Sequence, residues 1–205
     1  LVVENEGEPD VVQISGGEPT LHPDLFDILD AANERPIRHV MLNTNGIRIA
    51  NEEGFAERLA SYMPGFEVYL QFDSLSKEPQ MRLRGADLRE VRRRALERLN
   101  EVGLSTTLVV TLQKGLNDGE VGDIIDYALK QPCVRGVTLQ PIQEAGRCDD
   151  YDPATDRLTL SEVRRMVGEQ STTFTLDDVL PVPCHPDSIA MAYALRMGDF
   201  VLPIT

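Results

Sequence analysis

Short apolar runs rich in Val, Ile and Leu recur along the chain. Between them lie stretches in which apolar residues return every three or four positions. The runs predict β-strands at 11–15, 38–43, 66–72, 104–112 and 136–141. The intervening stretches predict helices at 23–34, 52–61, 88–102, 119–130 and 161–170. This alternation is the pattern of a parallel sheet with helices packed on it. Pro23 fits a first helical position, and Asp24 suits the positive end of the helix. In the third helix Leu88, Val91, Ala95, Leu99 and Val102 form one apolar stripe. Asp87 and Glu90 resemble a capping box before that stripe, and Gly103 is placed to stop the helix. Asn117 with Glu120, and Thr159 with Glu162, repeat the cap pattern. The segment 143–158 is polar and reads as a long loop. Five βα units are too few for an eight-unit barrel. The pattern therefore predicts an α/β fold, either part of an open barrel or a doubly wound sheet. Both place chemistry at the carboxyl ends of the strands.

The unusual polar residues fall at those ends. Gly16-Gly17-Glu18-Pro19 follows the first strand, Thr44-Asn45-Gly46 the second, and Asp73-Ser74 the third. Lys114-Gly115-Leu116-Asn117 follows the fourth strand, and Gln140-Pro141 sits in or just after the fifth. In a parallel architecture these positions converge on one face. The glycine turn lets a ligand approach bare backbone, and Pro19 pushes Glu18 towards an extended conformation. Open backbone groups beside a carboxylate suit a zwitterionic ligand with an ammonium to hold. Plain structural roles stand beside these readings. Glu18 could be a solvated turn residue, Asn45-Gly46 a turn dipeptide, Asp73 or Ser74 a turn cap, and Asn117 a helix cap. His22 reads as a capping or surface residue and His39 as structural.

Length and charge bound the alternatives. A chain of 205 residues can bury a sizeable core. It has no apolar stretch long enough to span a membrane, so an integral membrane protein is not expected. A formal net charge of -14 argues against non-specific nucleic-acid binding. Arg92-Arg93-Arg94, the one basic run, reads as a solvated helix face. The three cysteines, Cys133, Cys148 and Cys184, are widely spaced and form no disulfide framework, which fits a cytoplasmic setting. Cys133 reads as structural, and Cys148 lies in the polar loop. Cys184 sits before Pro186, which resembles a helix start, with Ile189, Met191, Tyr193 and Leu195 beyond. A thiol near a helix N-terminus makes a good metal ligand, and a buried structural Cys is the alternative.

The run from Gly16 through Pro23, with Thr44-Asn45-Gly46, resembles the radical S-adenosylmethionine (SAM) superfamily, over nearly the whole chain. The resemblance implies a partial (β/α)6 TIM-type barrel whose first strand would lie upstream of Leu1. Residues 1–180 would form the barrel core and 181–205 a C-terminal extension. It implies that Gly16, Gly17, Glu18 and Pro19 hold the SAM amino group and that Thr44 and Asn45 end the next strand. Asp73 or Ser74 would contact the SAM carboxylate or ribose. Thr111, Asn117, Gln140 and Pro141 would line the adenosyl end. Leu70-Gln71-Phe72-Asp73, Leu108-Val109-Val110-Thr111, Gln140-Pro141-Ile142 with Gly146-Arg147, and Pro181 to Asp187 resemble a subgroup related to the molybdenum-cofactor enzyme MoaA. The last two features are similar to proteins described as tetraether lipid synthases or pterin dimethyltransferases.

The resemblance further implies an iron–sulfur enzyme that reductively cleaves SAM. The resulting 5'-deoxyadenosyl radical takes hydrogen from an unactivated C–H bond of a small-molecule or lipid substrate. Electrons would come from a donor such as ferredoxin or flavodoxin, and Cys184 could belong to an auxiliary iron site. The family's CxxxCxxC loop, which holds the [4Fe–4S] cluster, is missing from this sequence. The start at Leu1 leads us to expect that loop upstream, and without it the chain should not perform radical chemistry. Two other classes remain in view. One is a cluster-free barrel that binds SAM or a metabolite. The other is a lyase using a Schiff-base lysine, for which Lys114 alone lies near a strand end.

Overall fold

Five strands form one sheet in the order β1-β2-β3-β4-β5, following the chain. The structure is a computed structural model and describes residues 2–143, 151–198 and 200–205. The elements of the α/β part are α1 (Val2–Glu6), β1 (Val12–Ile14), α2 (Leu25–Asn33), β2 (Val40–Thr44), α3 (Ile47–Asn51), α4 (Phe55–Ala60), β3 (Phe66–Gln71), α5 (Lys77–Arg84), α6 (Arg89–Val102), β4 (Thr106–Leu112), α7 (Val121–Leu129), β5 (Val134–Pro141) and α8 (Leu160–Gln170). Then come two short antiparallel pairs. Strand β6 (Leu180–Pro181) pairs with β7 (Ala190–Met191), and β8 (Ala194–Met197) pairs with β9 (Phe200–Pro203). The α/β fold with a parallel sheet is consistent with a partial TIM-type barrel.

Strands β2 and β3 show why the register is unambiguous. Val40, Leu42, Phe66, Val68 and Leu70 are buried, while the alternate residues are half-buried. Val40 faces Phe66, Leu42 faces Val68 and Thr44 faces Leu70 across the pair. A slip of one residue would turn this apolar set to the other side of the sheet.

The chain forms two compact units. The first comprises residues 1–72, 88–109 and 131–138. Its core contains Leu25 and Leu29 of α2, Ile49 of α3, Leu59 of α4 and Ala95, Leu96 and Leu99 of α6, with the buried strand residues. The second comprises residues 73–87, 110–130 and 139–205. It buries Val121, Ile124 and Ile125 of α7 with Val163 and Val167 of α8.

The structure departs from the sequence reading at several points. The helix expected at 52–61 is α4 alone, which starts after Gly54 at φ 77, and α3 before it was not expected. The stripe of α6 is Arg92, Ala95, Leu96 and Leu99, so an arginine occupies a core position. Its N-cap is Leu88 rather than Asp87. Helix α2 begins at Leu25, after Pro23 and Asp24. Helix α5 was not expected at all. The segment after Pro186 is no helix: Ile189, Met191, Tyr193 and Leu195 repeat every second residue, and the structure there is β7 and β8. Two expectations hold in detail. Gly103 stops α6 with φ 66, and Thr159 with Glu162 forms the capping box of α8. Residues 151–159 are irregular, and Gly146, Arg147 and Cys148 lie outside the described residues.

Candidate functional site

Strand β1 is short because Ser15-Gly16-Gly17 cannot continue it. Gly16 has φ 138, a conformation that L side chains rarely adopt. A Cβ on Gly16 or Gly17 would meet nothing within 4 Å, and both residues are exposed. The backbone of this turn is therefore open to a ligand. Pro19 then holds Glu18 extended, at φ -130 and ψ 103.

The Glu18 carboxylate is fixed from two loops. Its Oε1 accepts from Thr20 N at 3.2 Å, from the Thr20 hydroxyl at 2.5 Å and from the Thr44 hydroxyl at 2.6 Å. Its Oε2 accepts from Asn45 N at 2.7 Å. Among the described residues this is the only donor to Oε2, so lone-pair capacity remains there for a cationic ligand group. Thr20 and Thr44 are buried and Glu18 is half-buried. A carboxylate held by donors from two loops cannot swing away. Gly46 follows with φ 73, and a Cβ there would lie 2.5 Å from Leu70 Cδ1. The Asn45-Gly46 turn thus needs glycine for conformation and for packing.

The second unit holds a different cluster. Asp73 has φ 64, unusual for a residue with a side chain, and is completely buried. Its Oδ2 accepts from Arg84 Nε at 2.6 Å, and its Oδ1 from Arg84 Nη2 at 2.8 Å and Thr111 N at 3.2 Å. Asn117, also buried, donates through Nδ2 to the carbonyls of Asp73 and Thr111, at 2.9 and 2.8 Å. Its Oδ1 accepts from Gln113 N at 2.9 Å. The Ser74 hydroxyl donates to Glu120 at 2.6 Å. The Asp73 carboxylate holds Arg84 protonated more firmly than a free arginine.

These contacts give the sequence-predicted residues of this cluster their partners. The Asp73 carboxylate is engaged by Arg84 and Thr111 N, and the Ser74 hydroxyl by Glu120. Asn117 caps no helix with its side chain and ties two strand ends instead. The group with donors to spare is Arg84, whose side chain is 27% exposed. Sequence reasoning missed it because α5 carries no apolar stripe. Gln140 is exposed and Pro141 half-buried at the end of β5. Lys114 is exposed and pairs with Glu162 at 3.2 Å, which does not suit a Schiff-base lysine. His22 accepts from Asp24 N through Nδ1 at 3.1 Å, and His39 meets Glu67 at 3.1 Å. Arg92 is buried and donates to the Asn45 carbonyl, so the basic run is not wholly a solvated face.

Cofactor fit differs between the two expected groups. The open Gly16-Gly17 backbone and the remaining capacity of Glu18 Oε2 fit the amino-acid end of SAM. No group of three or more His, Cys, Asp or Glu among the described residues could hold a metal. Cys133 is buried and Cys184 is exposed in the turn between β6 and β7. The described residues therefore do not supply ligands for a [4Fe–4S] cluster. No helix among them is long and apolar enough to cross a membrane.

Residues 1–128 match the family model described as the Radical SAM superfamily. The chain is 36% identical over 175 residues to the 7,8-dihydro-6-hydroxymethylpterin dimethyltransferase of Methanocaldococcus jannaschii, covering 84% of this chain and 34% of that protein. It is 32% identical over 181 residues to the GTP 3',8-cyclase of Pasteurella multocida, covering 87% of this chain and 52% of that protein. The chain thus spans between a third and a half of the length of these curated relatives. The structure of Streptococcus suis SuiB bound to S-adenosylmethionine superposes with a TM-score of 0.64 at 20% identity, over 76% of this chain and 34% of that one. At that identity the likeness bears on the fold alone.

Proposed function

We propose, from the premise that the chain belongs to the radical SAM superfamily and is related to MoaA, that it is the SAM-holding part of a SAM-cleaving enzyme, in which Glu18 holds the SAM ammonium. The family uses SAM with a [4Fe–4S] cluster, and reductive cleavage of SAM supplies a radical able to take hydrogen from an unactivated C–H bond. The observation that carries the reading is the Glu18 carboxylate, fixed by donors from two loops beside an open glycine backbone.

The work of these residues is positional. Thr20, Thr44 and Asn45 fix where the carboxylate points. Its Oε2 then accepts from the ligand ammonium as a charge-assisted hydrogen bond. The bare backbone at Gly16 and Gly17 lets the amino-acid end lie close without a steric penalty. The substrate in this reading is a pterin, a lipid or another poorly activated carbon skeleton. The names of the two curated relatives favour a heterocycle, and a donor such as ferredoxin or flavodoxin would supply the electrons. The test is SAM cleavage, under a strong reductant, by a cluster-loaded protein that joins this chain to a CxxxCxxC segment. Formation of 5'-deoxyadenosine and methionine supports the proposal. Intact SAM after complete cluster loading and reduction overturns it.

A further inference from the structure

We propose that Arg48 and Arg92 are positioning residues that brace the two loops holding Glu18; the consequence for SAM rests on the reading of Glu18 given above, whereas the brace itself does not. Glu18 takes backbone donors from Thr20 and Asn45. The carbonyls of the same two residues are each taken by a guanidinium. Arg48 Nη1 donates to the Thr20 carbonyl, and Arg92 Nη1 donates to the Asn45 carbonyl. Each loop residue is therefore gripped on both sides, by the carboxylate through its N–H and by an arginine through its C=O.

The arrangement at Asn45 extends further. The peptide whose carbonyl meets Arg92 ends in the N–H of Gly46, which donates to Thr44 Oγ1 at 3.1 Å. That hydroxyl then has its own proton to give, and it gives it to Glu18 Oε1 at 2.6 Å. Polarisation runs one way along this path, from guanidinium to peptide to hydroxyl to carboxylate, and each bond strengthens the next.

Both arginines are placed at a cost that mere filling would not require. Arg92 is 1% exposed and stands in the α6 stripe where an apolar residue would otherwise pack. Burying a charge there is unfavourable unless it is well engaged. Arg48 is immobilised from two further directions. Glu52 accepts from its Nε at 2.7 Å and Nη2 at 3.0 Å, and its guanidinium lies 4.3 Å from the Phe55 ring centroid. These contacts aim its remaining nitrogen at Thr20.

The experiment reads amide hydrogen exchange in the protein without SAM, and then SAM affinity of the same protein by equilibrium dialysis. The variants are Arg48→Gln, Arg92→Gln and the conservative Arg92→Lys. Hydrogen bonds from charged donors are strong enough that loss of the Arg48 contact should speed exchange at Thr20 by about tenfold, and loss of the Arg92 contact at Asn45 likewise. Val68, in the core of β3, should stay protected. Arg92→Lys should restore part of the protection. SAM binding should weaken by about fivefold to tenfold in the Gln variants. If Arg92→Gln does not fold, Arg48→Gln and Arg92→Lys carry the test.

Unchanged exchange at Thr20 and Asn45 overturns the proposal. So does an increase spread evenly over the first unit, which would mark a structural role only. Unchanged SAM affinity in variants with altered exchange also overturns it, provided that Glu18→Gln weakens SAM binding. If Glu18→Gln leaves SAM binding intact, the reading of Glu18 fails, and the local exchange pattern still decides whether the arginines brace the loops.

Discussion

Gly46→Ala is expected to destabilise the protein by about 2–5 kcal/mol, the sum of two separable effects. The first is conformational. Gly46 sits at φ 73, and a residue with a Cβ in the left-handed region costs about 1–2 kcal/mol. The second is steric. The new Cβ would lie 2.5 Å from Leu70 Cδ1 and 3.5 Å from Ala95 Cβ. Leu70 is 0% exposed, so it cannot turn aside into solvent, and overpacking of this kind costs about 1–3 kcal/mol. Gly54 supplies the control. It has nearly the same conformation, φ 77, but a Cβ there would meet nothing within 4 Å. Gly54→Ala should show the conformational cost alone, and the loss of unfolded-state entropy offsets both variants alike. Urea denaturation of the two variants gives the packing contribution as their difference, about 1–3 kcal/mol. Equal midpoints would refute the reasoning. The same displacement should move the Asn45-Gly46 peptide and weaken SAM binding in Gly46→Ala but not in Gly54→Ala.

Three further outcomes rest on named contacts. Asp73→Asn removes the charge facing Arg84 while keeping a residue that tolerates the left-handed conformation. It should cost about 2–3 kcal/mol, and Asp73→Ala should cost more; wild-type denaturation midpoints in both would contradict the buried pair. Thr159→Ala removes the capping box of α8 and should cost about 1 kcal/mol, read as a lowered melting temperature. The Thr159 backbone, its hydroxyl and then Lys114 hold the Glu162 carboxyl down to about 2. A depressed carboxyl contributes its stability above the ordinary value of 4.5, and that contribution fades as pH falls from 4.5 towards 2. An NMR titration that finds Glu162 at the ordinary value would contradict this, and Thr159→Ala should raise the midpoint.

The sheet was legible because β2 and β3 place Val40, Leu42, Phe66, Val68 and Leu70 at every second position, and β4 carries Leu108-Val109-Val110. Those positions suffice to mark the strands. The glycine turn before Glu18 was legible for a similar reason: Gly16, Gly17 and Pro19 restrict the backbone through their own covalent structure. Other features depend on tertiary contacts. Helix α5 is charged, with Pro79 in its first turn, and its signal is confined to two buried residues, Pro79 and Gln80. Arg92 reads as a surface cation until the Asn45 carbonyl is placed beside it. The pairing of Asp73 with Arg84 joins residues eleven positions apart and shows only in the fold. The alternation from Ile189 to Leu195 did carry the strand period, and Pro186 drew attention from it. The cap of α8 was recognised from Thr159 and Glu162, which bond within one turn, while that of α6 was misplaced by one residue.

The central claim is that the Glu18 carboxylate grips the ammonium of SAM. It is tested most directly by comparing SAM with its analogue in which the amino group is replaced by hydrogen, in wild type and in Glu18→Gln. The wild-type protein should prefer SAM, and Glu18→Gln should narrow that preference by about tenfold while binding the analogue as before. A preference that survives the substitution undiminished would contradict the account.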